Sequence, residues 1–99
     1  MPNSTSVIIK INNLIIEALR RNYLVSVVTA NDCILSPSGN YDDIMRAIEP
    51  RSEASILLWE RSITLSGIVQ FCLENDNIIY RSKKTNEQFY SLLEAAEIK

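Results

Sequence analysis

Apolar residues near the start of the chain recur with a helical period. At about 100° per residue, Val7, Ile8, Ile11, Leu14, Ile15, Ala18 and Leu19 share one face, which predicts a helix from about Ser6 to Arg21. The abundant isoleucines favour strand by propensity alone, but the period decides for helix. Polar residues from Asn3 to Ser6 offer N-caps, and Arg20 and Arg21 bring cations to the last turn. Asn22, which tolerates left-handed backbone, is placed to close the helix.

The period then shortens. Tyr23 to Ala30 and Cys33 to Ser36 are β-rich runs separated by Asn31-Asp32, and they predict a hairpin. Ser36 to Asn40 reads as a loop. A short helix is predicted from Tyr41 to Ile48, with Asn40 as cap and Asp42 and Asp43 in its first turn. Glu49 precedes Pro50, a position disfavoured in helix, so the helix stops there. Ala54 to Glu60 is a third strand. The fourth and fifth lie in SGIVQFCLENDNIIY, from Gly67 to Glu74 and from Ile78 to Tyr80, with Asn75, Asp76 and Asn77 as the turn. Val69, Phe71 and Leu73 alternate with Ile68, Gln70, Cys72 and Glu74. A last helix begins at Thr85, whose spacing to Gln88 fits a capping box; Phe89, Leu92, Leu93 and Ala96 form its apolar stripe, opposite Glu87, Glu94 and Glu97.

The order of elements argues against a doubly wound parallel sheet, in which helices alternate with every strand. It predicts an α+β fold. A mostly antiparallel sheet of four to five strands carries the N- and C-terminal helices on one face, with a short middle helix.

Composition narrows the picture. Residues 1–99 read as a single domain, and a hydrophobic content of 46% with 22% charged residues is that of a globular chain. The formal net charge of −2 gives no global pull toward nucleic acid or anionic lipid. No apolar stretch reaches the ~18 residues of a spanning helix, and the N-terminus lacks the pattern of a signal peptide. Cys33 and Cys72 lie inside apolar runs and read as half-buried reduced thiols. These features predict a soluble protein of the cytoplasm.

Candidate chemistry is thin. The chain has no histidine, so neither a Ser–His–Asp nor a Cys–His arrangement can be built within it. The cysteines form no CxxC pair, and adjacent Asp42 and Asp43 point about 100° apart on a helix. Asn75-Asp76-Asn77 lacks the glycine and glutamate of a calcium loop. With only two glycines, Gly39 and Gly67, no phosphate-cradling loop is present. The expectation is a protein without catalytic residues, metal or cofactor.

What remains is surface. Ile9 and Ile16, seven residues apart, form a second narrow apolar strip on the first helix, beside Asn12, Asn13 and Arg20. That strip suits a partner protein or a second copy of the chain. An edge strand open to another chain is the other candidate, with Trp59 and Tyr80 as aromatic anchors. An alternative rests on the one basic cluster, Arg81, Lys83 and Lys84, which would contact a nucleic-acid backbone. Small-ligand binding is a further alternative.

The run NYLVSV after an amphipathic helix, then SPSGNYDDIMRAI, then SGIVQFCLENDNII and a closing helix, resembles a family of small uncharacterised accessory proteins of tailed bacteriophages and prophages. The resemblance spans about Ile11 to Glu94; this chain differs in having no glycine in its Asn31-Asp32 and Asn75-Asp76-Asn77 turns. It implies a phage-encoded protein in the cytoplasm of a bacterial host, without catalytic residues to carry over. It further implies binding and modulation of a host protein, a defence component among the candidates.

Overall fold

The computed structural model describes residues 4–60, 64–82 and 87–98. In chain order the elements are α1 (Ser4–Arg20), β1 (Tyr23–Val28), β2 (Cys33–Ser38), α2 (Tyr41–Ile48), β3 (Glu53–Glu60), β4 (Thr64–Cys72), β5 (Asn77–Ser82) and α3 (Glu87–Ala95). The strands form one sheet in the order β2-β1-β3-β4-β5, and every neighbouring pair is antiparallel. This is the α+β architecture the hydrophobic pattern predicts, with the sheet at five strands.

Local chemistry explains where elements begin and end. Asn22 takes a left-handed backbone, φ 65°, two residues past Arg20, the last residue of α1. Asn40 caps α2, its side chain accepting from the Asp43 N–H at 3.0 Å, while Asp42 and Asp43 lie at the positive end of the helix dipole. The close of α3 is a Schellman motif. Glu97 has φ 62°, its N–H donates to the Glu94 carbonyl, and the Ile98 N–H donates to the Leu93 carbonyl. The capping pair expected from Thr85 falls outside the described residues.

Several boundaries differ from the sequence reading: β1 ends at Val28 rather than Ala30, and β4 runs from Thr64 to Cys72 rather than from Gly67 to Glu74, so Leu73 falls in the turn and Asn77 opens β5. Strand β2 continues through Pro37 to Ser38, where a loop is expected. Proline is tolerated because β2 is an edge strand, so the missing N–H need not face a neighbour. Strand β5 reaches Ser82 rather than stopping at Tyr80, since its pairing with β4 runs unbroken from Asn77 opposite Cys72 to Ser82 opposite Gly67.

The core lies on one face of the sheet. Val25 and Val27 of β1, Ala54, Ile56 and Leu58 of β3, and Val69 and Phe71 of β4 are buried there. They meet Val7, Ile11, Leu14, Ile15 and Ala18 of α1, Ile44, Met45 and Ile48 of α2, and Phe89, Leu92, Leu93 and Ala96 at α3. Gly67, also on this face, allows α3 its close approach: a Cβ there would enter the Phe89 ring. The other face carries no helix among the described residues, and it positions the candidate site.

Candidate interaction surface

Antiparallel partners share a face, so the pairing registers assign the side chains of the open face rung by rung. One rung runs Leu24, Trp59, Leu65. The next runs Ser26, Leu57, Ile68, Arg81, and a third crosses all five strands as Cys33, Val28, Ser55, Gln70, Ile79. A last one runs Glu53, Cys72, Asn77. Leu24, Leu57, Trp59, Leu65 and Ile68 therefore form one contiguous apolar field, continued by Val28 and Ile79 across the uncharged polar residues Ser55 and Gln70. On these rungs the only charges are Glu53 and Arg81, and both sit toward margins of the face.

This field is partly exposed. Leu24, Leu57, Trp59, Leu65 and Ile68 are half-buried by their strand neighbours, and Ile79 is 54% exposed. Within it Trp59 Nε1 donates to Ser26 Oγ at 2.8 Å. That bond satisfies the buried serine and fixes the indole across the rungs. One bulge shapes the same region. Leu58 pairs with Gly67 but Trp59 pairs with Leu65, so Ser66 is an extra residue in β4, and the local twist increases. A shallow pocket at this end is lined by Leu65, Ser66, Gly67, Ile68, Arg81 and Ser82.

The residues singled out in the sequence do not converge. Ile9 and Ile16 are 53% and 47% exposed on the outer side of α1. They form a second, smaller patch with Tyr41, whose hydroxyl donates to Asn12 Oδ1. Arg20, at the end of that strip, is paired with Glu17 at 2.8 Å, and Arg21 binds the same carboxylate oxygen at 3.0 Å. The two guanidinium hydrogen bonds hold the Glu17 carboxyl below the usual carboxylate range, and donating to that carboxylate raises Arg20 in turn. Trp59 belongs to the open sheet face, on the opposite side of the sheet from the helices. Tyr80 is half-buried and faces the helix layer, its ring edge-on to Tyr90 with centroids 6.5 Å apart. It is thereby engaged within the fold on the covered side.

Of the basic cluster, Arg81 is exposed on the open face, while Lys83 and Lys84 lie outside the described residues. Cys72 is half-buried as expected, but Cys33 is exposed, because β2 is an edge strand with irregular pairing. The two thiols stand on different rungs of the open face with β1 and β3 between their strands. Among the described residues no three His, Cys, Asp or Glu side chains converge as metal ligands, and no helix is long and apolar enough to cross a membrane.

Helices on one face of the sheet were expected, but the apolar field on the opposite face escaped the sequence reading. Its signal was present: Leu57, Trp59 and Ile68 alternate with core positions, so β3 and β4 are apolar on both sides. Such strands are ordinarily buried twice, and here the second cover is missing among the described residues. No protein-family model, curated protein or solved structure matches this chain.

Proposed function

We propose that this chain is a non-enzymatic interaction module that docks a protein partner on the open face of its sheet. One observation carries the reading: Leu24, Leu57, Trp59, Leu65 and Ile68 form a contiguous apolar field on a face that no described element covers. Contiguous apolar patches of this kind mark interaction surfaces, whereas single exposed apolar residues are ordinary. An apolar field with a fixed tryptophan flanked by leucines has the make-up of an interface core, since buried aromatic anchors dominate binding energy. The resemblance to phage accessory proteins supplies the class of partner, a bacterial host protein met in the host cytoplasm, with modulation or inhibition as the consequence.

The test compares two patches in affinity capture from bacterial lysate. Leu65→Ser with Ile68→Ser changes the open face; Ile9→Ser with Ile16→Ser changes the outer strip of α1. The first pair is expected to abolish capture of the wild-type partner and the second to leave it intact. Loss with the α1 pair alone would transfer the docking site to the helix.

A further inference from the structure

The two edges of the sheet are built differently. Edge strand β2 contains Pro37, which lacks an N–H, and its pairing with β1 slips twice, between Val25 and Val27 and between Val27 and Val28. Proline and bulges of this kind protect an edge from another strand. Edge strand β5 has neither. It is six residues long, contains no proline, and pairs with β4 in one uninterrupted register. Its outer edge has no strand partner among the described residues.

The charges along the β5 hairpin are polarised. Exposed Glu74 and Asp76 stand at the turn where β5 begins, and exposed Arg81 stands near its end, with Lys83 and Lys84 next in the sequence. An acidic start and a basic end make the strand complementary to itself in the antiparallel sense and repulsive in the parallel one. We infer that β5 pairs antiparallel with β5 of a second copy of this chain, about a two-fold axis through Ile79, to give one continuous ten-stranded sheet.

The register follows from the side chains. A two-fold at Ile79 sets Ile79 against its own copy on the open face and Asn77 against Arg81. On the helix side it sets Ile78 against Tyr80, a favourable aromatic and β-branched pair. Each Arg81 then extends the rung that holds Asn77, Cys72 and Glu53 of the other copy, beside the other copy's Asp76. Within its own chain Arg81 shares a rung with Ile68, Leu57 and Ser26, none of them acidic. The two arginines stay about four residues apart along the strands, on the order of 13 Å, beyond the Debye length of physiological salt. Centring the axis on Tyr80 instead would bring them to about half that distance. Pairing through Ile79 also joins the two open faces, so the edge contact and the docking face work together while remaining separable.

Light scattering on the intact chain, across a concentration series, reads the outcome. The mass is expected to rise from 11.3 kDa toward twice that value, and the rise to weaken with added salt. Ile79→Lys and Arg81→Glu, both at exposed positions, are each expected to weaken self-association tenfold or more. In a background carrying Cys33→Ser and Cys72→Ser, Ile79→Cys is expected to give a covalent dimer with a short bis-maleimide, and Asn77→Cys to give little. A monomer up to about millimolar concentration overturns the inference and leaves the docking face standing, because a single chain presents that face as well. A dimer indifferent to Ile79→Lys, and not cross-linked through Ile79→Cys, also overturns it.

Discussion

The sheet has two apolar faces with different fates. On one, Val25, Ile56, Leu58 and Val69 are fully buried beneath three helices. On the other, Leu57, Trp59 and Ile68 are half-buried, and no helix covers them among the described residues. The same β-strands supply both, one residue apart. The first face holds the fold together through apolar burial, worth roughly 1.5–3 kcal/mol for each full-sized side chain. The second contributes less to folding and is available to another molecule. Apolar character alone therefore does not distinguish a core from a docking surface; what lies across it does.

The comparison is broken most sharply by truncating one isoleucine on each face, on the neighbouring strands β3 and β4. Ile56→Ala should cost about 2–5 kcal/mol in denaturant unfolding, because its cavity forms under the helices. Ile68→Ser, on the open face, should cost about 1 kcal/mol or less. Equal losses would mean that the second face is as enclosed as the first. Gly67→Ala tests the helix cover: its Cβ would enter the Phe89 ring, and the expected loss is about 1–3 kcal/mol with displacement of α3. Tyr23→Phe goes the other way. The Tyr23 hydroxyl is buried without a hydrogen-bond partner among the described residues, so its removal should raise stability by about 1 kcal/mol. The smallest effect belongs to Glu17, whose carboxyl is held low by Arg20 and Arg21. Its contribution is present above the unfolded glutamate value and is lost as pH falls through the lower folded value. The stability difference between wild type and Glu17→Gln should accordingly shrink on acidification, as read by thermal melts.

Much of this architecture is legible in the chain because local signals agree. The helical period from Val7 to Leu19, the Asn40 cap and the alternation around Val69 and Phe71 each specify an element without reference to the rest. Pro37 misled, because a proline read as a loop signal is tolerated on an edge whose position only the sheet order reveals. The candidate site was legible only in part. Ile9 and Ile16 could be placed on the outside of α1 by angle alone, and they are exposed. Trp59 and Tyr80 could not be sorted by sequence. Which side of a strand faces helices depends on the whole assembly, and the two aromatics fall on opposite sides of one sheet. The apolar field on the open face required the same knowledge, since only the pairing registers bring Leu24, Leu57, Trp59, Leu65 and Ile68 onto one side.

The central claim, that the open face is the docking surface, is tested most directly by footprinting this chain with a photoactivated carbene label, alone and bound to its captured partner. The expected result is protection at Leu57, Trp59, Leu65 and Ile68, with labelling at Ile9 and Ile16 unchanged. Protection at Ile9 and Ile16 with the sheet face still labelled would contradict the account.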